Sequence, residues 1–485
     1  MWKISAPLLG PLFPEETVIR SMTTTATTHS TSKVHSLEWL AAKQYATLCC
    51  LGLVDHHVEY LPSLPTQVRR KILFFFQQSF GSEELLMSLL EPGDITELNF
   101  SKVNSKINCN FMEAVRVCAS LETLNMRAWR RGDVSDILQC TAPSLLTLNL
   151  SRSEAHVGDA EMFAIGSSCT NLIELNVARN DRVSDVGLFA IANCCTRLRT
   201  LDMSYLEVSS ASFTKIMTSC LDLSSLNIKG CTGIISIAGG IGARRASLTS
   251  LNAKGVIKVP SFEWKAYLGP IFQRLRNLRM GDTTFDVSFF TPHTQDDGLE
   301  YALEVLDMSW CDGDSGGEES MLEKRKALPA LIRKCTRLRK FKSRACDYVG
   351  DDAVLALADS CPYLEQANLA RCHKIGDVAW ERLSLNCPKI NDLDISWSSA
   401  TSESIEKILK HCPRLQRFSM EGCKQEVPEI EEAILGLNEL VWINFSWVNS
   451  CSAAFANKLV SMRPNLCVCD YYGEQIKGKL FEAKE

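Results

Sequence analysis

No stretch of this 485-residue chain approaches the roughly 18 unbroken apolar residues of a membrane-crossing helix, so a bilayer-spanning role is not expected. Cys-x-x-Cys pairs and His-Glu-x-x-His are both missing, and the 8 His are scattered, which leaves a zinc centre without support. There is also little excess charge. A formal charge of −5 gives no general drive towards nucleic acid or an anionic membrane surface. A convincing secretion signal is absent as well: Ile4 to Phe13 is apolar, but Pro7 and Pro11 interrupt it and Glu15-Glu16 follow. A reducing cytosolic or nuclear compartment is expected. No cofactor and no catalytic residue is implied.

What the chain does have is leucine and cysteine in register. The phrase Leu-x-x-Leu-x-Leu recurs with its central residue at Leu98, Leu124, Leu148, Leu175, Leu201, Leu226, Leu251, Leu278, Leu306, Phe341, Ala367, Leu393, Phe418 and Ile443. A degenerate last copy runs through Leu466 and Val468. Most steps are roughly 24 to 28 residues, the period of a leucine-rich repeat. Of the 21 Cys, eight stand six residues before the central position (Cys118, Cys169, Cys195, Cys220, Cys335, Cys361, Cys387, Cys412). Five stand five residues after it (Cys231, Cys311, Cys346, Cys372, Cys423). Their abundance therefore follows from repeat packing, where Cys serves as a small apolar residue.

Each unit predicts a short strand of about six residues followed by an amphipathic helix. Neither buries its apolar face alone, so units must stack. The expected fold class is α/β: a leucine-rich-repeat solenoid, or horseshoe, with a parallel concave sheet and outer helices, preceded by a small N-terminal helical module. The expected divisions are a disordered leader over 1–33, a helical module over 34–91 and about 15 repeats over 92–472. An acidic insertion is placed at 312–320 and a charged tail at 473–485.

The order Cys-Pro/Thr-x-Leu-x-x-Leu-x-Leu-x-x-Cys, then Ile/Val-Ser/Gly-Asp, then a helix resembles the cysteine-containing subfamily of leucine-rich repeats. Val183-Ser184-Asp185, Val349-Gly350-Asp351 and Ile375-Gly376-Asp377 carry the middle phrase. That subfamily is typical of F-box/leucine-rich-repeat substrate receptors and of the antagonist of mitotic exit network protein. The resemblance implies a substrate-recognition subunit of a cullin–RING ubiquitin ligase that takes a protein substrate. The alternative it leaves open is a ligase-independent interaction scaffold or cell-cycle regulator.

The N-terminal module bears on that choice. Val34 to Val54 has helical spacing through Leu37, Leu40, Ala41, Tyr45, Leu48 and Leu51. In Leu61 to Leu73, Pro65 suits the first turn of a helix, and Leu64, Val68, Ile72 and Phe76 form one apolar stripe with Arg69, Arg70 and Lys71 off it. The phrase Leu-Pro-x-x-Val-x-x-x-Ile looks like the start of an F-box and equally like an elongin-type cullin box. A later Val-Cys-x-x-Trp segment and a Cys four residues after Leu37 or Leu48 are both missing. A Skp1-like or elongin adaptor with its cullin is thus the implied partner, with Leu64, Pro65, Val68, Ile72 and Phe76 as the contact. A plain cap over the first open repeat is the competing role.

Other letters invite chemistry that their context denies. Gly313-Asp314-Ser315-Gly316-Gly317 matches a serine-protease nucleophile phrase, but no oriented base accompanies it. Asp312, Asp314, Gly317 and Glu323 imitate a calcium loop, yet Gly316 offers no side-chain oxygen at the fifth place. Gly239-Gly240-Ile241-Gly242 is a fragment of a phosphate-binding phrase without its strand. For the substrate, the repeat register exposes Trp310, Trp397 and Trp447, with Arg127, Arg179, Arg344 and Arg371 at outer positions of other units. Trp and Arg are the types most enriched among interface hot spots. The competing expectation is that the Trp rings lean over strand ends and pack on neighbouring loops.

Overall fold

A computed structural model describes residues 61–76, 83–91, 93–101, 111–130, 134–141, 144–154, 156–240, 247–288, 300–311, 318–424 and 430–478. The expected leader, the Val34 to Val54 helix, Gly242 and the protease-like and calcium-like letters of 312–317 lie outside these residues. So do positions 479–485 and the side chain of Phe76. The chain divides into two compact units, Met1–Leu198 and Arg199–Glu485.

The first unit opens with helices α1 (Thr66–Phe76) and α2 (Glu83–Leu90). Strands β1 (Glu97–Asn99), β2 (Thr123–Asn125), β3 (Thr147–Asn149) and β4 (Glu174–Asn176) follow, and β1 to β4 pair in parallel in that order. In the second unit β5 (Thr200–Asp202), β6 (Ser225–Asn227), β7 (Ser250–Asn252), β8 (Asn277–Arg279), β9 (Val305–Asp307) and β10 (Lys340–Lys342) continue the pattern. After them come β11 (Gln366–Asn368), β12 (Asp392–Asp394), β13 (Arg417–Ser419), β14 (Trp442–Asn444) and β15 (Cys467–Cys469). Within each unit central residues face central residues, as in Leu98↔Leu124, Leu226↔Leu251 and Ile443↔Val468. The expected tail contributes β16 (Gln475–Lys477), which lies antiparallel on β15 and covers an edge that would otherwise expose unpaired backbone.

Pairing spans three residues per unit rather than the expected six, and the reason is chemical. Asn or Asp follows most central residues, and its side chain accepts from the amide two residues on. Ser101 N–H donates to Asn99 Oδ1 at 3.0 Å, Ser151 to Asn149 at 3.0 Å, Ser309 to Asp307 at 3.1 Å and Ser446 to Asn444 at 3.0 Å. Such Asx turns pull the chain out of the extended region. The fourth residue after the centre then takes the left-handed conformation, from Ala128 (φ 58°) to Trp447 (φ 59°).

Both cysteine columns are buried. The earlier column closes helices: Cys169, Cys195, Cys220, Cys361, Cys387 and Cys412 each occupy a helix C-cap. The later column has a polar task. Cys231 Sγ donates to Met203 O at 3.1 Å, Cys311 to Met280 O at 3.0 Å and Cys346 to Met308 O at 3.1 Å. Asn180 does the same at the equivalent place, donating to Leu150 O at 3.0 Å, so thiol and amide are interchangeable small donors beneath the strand end. Burial pushes the Cys387 and Cys412 thiols up to about 12 and the Cys231 thiol up to about 11, which keeps them protonated and unreactive at neutral pH. A thiol reagent is therefore expected to label Cys194, which is exposed, far faster than Cys361, Cys387 or Cys412 in the folded chain. Mass spectrometry of native and denatured samples checks this, and equal labelling of Cys387 and Cys194 before unfolding would contradict it.

The Ile/Val-Ser/Gly-Asp phrase staples units together. Asp159 accepts from the backbone N–H of Ser184 at 2.8 Å, and Asp351 from that of Gly376 at 2.6 Å. Asp377 accepts from the hydroxyl of Ser404 at 2.7 Å. Each carboxylate sits at the start of its own helix, where the macrodipole favours negative charge, and also satisfies the cap of the next unit.

Candidate interaction surface

The four-residue spacing of Leu64, Val68 and Ile72 does form one stripe of α1, but that stripe faces inward. Leu64 and Val68 are each 7 % exposed and Ile72 is 0 % exposed, alongside buried Leu85, Leu86 and Leu89 of α2. In the folded chain these three residues are part of the module's own core. Pro65 is exposed just before α1, and its carbonyl accepts from Val68 N–H and Arg69 N–H at 2.9 and 3.1 Å. The outward side of α1 carries Gln67, Arg70 and Phe74, the last 47 % exposed.

Arg69 was expected off the stripe. It is buried, donating to Leu64 O at 3.0 Å, to Leu89 O at 2.8 Å and to Asp94 Oδ1 at 2.6 Å. A fixed guanidinium fork thereby ties the start of α1 to the end of α2 and to the entry of β1. Hydrogen bonds from Thr66 and then Arg69 hold the Asp94 carboxyl below its ordinary range.

The three Trp residues occupy the left-handed turn after their strands: Trp310 (φ 62°), Trp397 (φ 57°) and Trp447 (φ 59°). A side chain there costs about 1–2 kcal/mol in local sterics, offset by a ladder bond to the next unit. Trp310 N–H donates to Arg344 O at 2.8 Å, Trp397 N–H to Glu421 O at 2.7 Å and Trp447 N–H to Tyr471 O at 2.9 Å. Arg179 and Arg371 share this turn position, whereas Arg127 and Arg344 precede it by one residue. The four Arg therefore do not correspond, and Arg127 and Arg179 lie in the first unit while the rest lie in the second.

Nor do the Trp rings form a ladder. In the turn column Ala345 and Arg371 separate Trp310 from Trp397, and Gly422 separates Trp397 from Trp447. Trp397 leans over the neighbouring unit: a Cβ placed on Gly422 would fall 2.4 Å from its ring, and its Nε1 donates to Glu421 Oε1 at 3.2 Å. The Arg371 guanidinium lies 5.4 Å from the ring centroid on the other side. Trp397 is thus half-buried, while Trp310 (49 %) and Trp447 (58 %) remain open. Gly422→Ala should cost about 2 kcal/mol, since φ +66° disfavours a Cβ and the Trp397 ring must move. Chemical denaturation checks this; an unchanged midpoint would contradict the packing described.

Linear reading missed two groups. Arg417 on β13 lies 4.2 Å above the ring of Trp442, its partner across to β14. Trp447, Tyr471 and Tyr472 meet edge to face, with centroids 5.7 and 5.1 Å apart. Aligning the residues just before and just after each central position would have found the first pair.

A family model described as Leucine Rich repeat matches residues 168–192. Among solved structures the chain is similar to one in the crystal structure of the Rad7 and Elc1 complex in yeast. The two are 18 % identical at a TM-score of 0.52, covering 80 % of this chain and 88 % of that one. The fold is a leucine-rich-repeat solenoid. A looser likeness, at a TM-score of 0.42 and 14 % identity, is to an internalin (inlF) from Listeria monocytogenes str. 4b F2365, covering 83 % of this chain and 93 % of that one. No curated protein matches the sequence. At these identities the likeness bears on fold alone.

Proposed function

We propose that this chain is the substrate-recognition subunit of a cullin–RING ubiquitin ligase, with ubiquitin transfer carried out by partner subunits. The observation that carries this reading is the Leu64-Pro65-x-x-Val68-x-x-x-Ile72 phrase, folded as a helix at the head of the solenoid with Phe74 turned outward. The similar yeast structure is of a complex between two proteins, Rad7 and Elc1, which is in keeping with a second subunit on this fold. The adaptor, Skp1-like or elongin-type, is assigned to the outer side of α1 (Gln67, Arg70, Phe74). The protein substrate is assigned to the repeats, where Trp310, Trp447 and the Arg371–Trp397 pair stand open or half-open.

The burial of Leu64, Val68 and Ile72 favours a second reading, in which α1 and α2 are only a cap and the chain is a ligase-independent scaffold or cell-cycle regulator. Affinity purification of the full chain and of Phe74→Asp separates the two. The ligase reading expects adaptor and cullin with the native chain and at least a tenfold loss with the variant, at unchanged melting temperature. Recovery of neither adaptor by the native chain would leave only the scaffold.

A further inference from the structure

We infer that the sheet face of β6 to β10 is a docking site for a short carboxylate-rich segment of a partner protein. This deepens the proposed function in one respect, since it rests on the repeats being a protein-binding surface. It does not rest on the ligase role.

Strand alternation sends the residues on either side of each central Leu to the face opposite the helices, and the third residue after the centre stays on the ladder, where Gly230 N–H donates to Lys254 O and Trp310 N–H to Arg344 O, each at 2.8 Å. On β6 to β10 and the turns that leave them, six of those positions are Lys229, Lys254, Arg279, Lys340, Lys342 and Arg344. The same set of positions holds one carboxylate, Asp307, which stands between Arg279 and Lys342 in register. Asp307 is buried, and its Oδ1 is engaged by Ser309 N–H at 3.1 Å. Six cations against one acid, in a chain of formal charge −5, is a local concentration that the overall composition hides.

Apart from Lys229, whose ammonium lies 5.3 Å from the Tyr205 ring centroid, these cations are little consumed by the protein itself. Among the described residues none of the six makes an ion pair within 4.0 Å. The neighbouring row is different: Arg276 pairs with Glu304 at 3.8 Å and Arg339 with Glu365 at 3.4 Å, so it neutralises itself. Arg344 is half-buried, and an incoming carboxylate would meet the terminal nitrogens of its guanidinium.

The geometry limits the occupant. Four strand spacings of about 4.8 Å give a width on the order of 20 Å. An extended chain covers that with roughly six residues at about 3.3 Å each. Acids lie beyond the band on both sides, Asp202 on the adjacent β5 and, past β11, Asp392 and Asp394 on β12, and Asp282 stands at the turn after β8. A long polyanion such as RNA or DNA would run onto those carboxylates. A short acidic peptide fits between them.

The test uses the full chain and three fluorescent probes: a peptide with six consecutive Glu, a doubly phosphorylated Ser peptide with the same flanks, and a single-stranded oligonucleotide of matched charge. Fluorescence anisotropy at 50 and 200 mM salt should show binding of the Glu peptide at least tenfold tighter than the oligonucleotide, weakening as salt rises. Binding of the phosphorylated peptide alone overturns the carboxylate assignment. Arg279→Gln with Lys342→Gln, both exposed, should weaken peptide binding at least tenfold at an unchanged melting temperature, whereas Arg382→Gln on a helix face should not. Equal binding by native chain and double variant overturns the proposal, as does tighter binding of the oligonucleotide. Neither peptide test contains an adaptor, so failure here leaves the ligase reading intact, and success survives its loss.

Discussion

Replacing Val68 and Ile72 together by Asp is expected to unfold the N-terminal module, not to produce a well-folded chain that has lost a partner. Both side chains are core: Val68 is nearly inaccessible and Ile72 fully so, against Leu85, Leu86 and Leu89. Burying a carboxylate without a partner forces it to stay neutral or to drag the helix into water, and the packed volume is lost too. The expected cost is at least about 5 kcal/mol for the pair, above the usual range for one substitution. Limited proteolysis should show early cleavage within residues 61–91, with residues 199–485 still resistant. A double variant that resists proteolysis like the native chain would contradict the inward placement of the stripe.

Arg69→Met is expected to destabilise the first unit by about 3 kcal/mol. The substitution keeps much of the apolar stem but removes the donors that serve Leu64 O, Leu89 O and Asp94, and shielded carbonyls left without a partner cost about 1–3 kcal/mol each. Asp94 is partly open to solvent, so the ion pair itself is the smaller share. Its pH dependence has a definite sign. The folded-state pKa of Asp94 lies below its ordinary value, so its contribution is present above about pH 4 and disappears as pH falls through the folded-state value. The gap between native chain and Arg69→Met should therefore narrow, without closing, as acid is added. Denaturant titrations at pH 7 and near pH 3 measure it, and a gap that widens in acid would contradict this account.

Leucine periodicity was legible because every central residue, from Leu98 to Ile443, solves one packing problem and so keeps one chemistry. The left-handed turn was not legible. Ala128, Arg179, Asp282, Trp310 and Gly422 share a backbone angle and no side-chain property, so they carry no common letter. The orientation of the α1 stripe was equally hidden. Leu64, Val68 and Ile72 form the same amphipathic pattern whether they cover their own chain or a partner. Arg69, which the helical spacing places only off the stripe, is held inside by three acceptors that only the fold brings together. The basic face escaped notice because its six cations are scattered between residues 229 and 344 and converge only when the strands align.

Cross-linking mass spectrometry of the complex captured by the full chain, with an amine-reactive linker, tests the central claim most directly. Lys71 sits on α1, while Lys229, Lys254 and Lys342 sit on the sheet face, so one experiment reads both ends. The account predicts an adaptor cross-linked through Lys71 and a different protein cross-linked through Lys229, Lys254 or Lys342. Cross-links to a single partner at all four lysines, or a captured protein that touches only the helix side of the repeats, would contradict it.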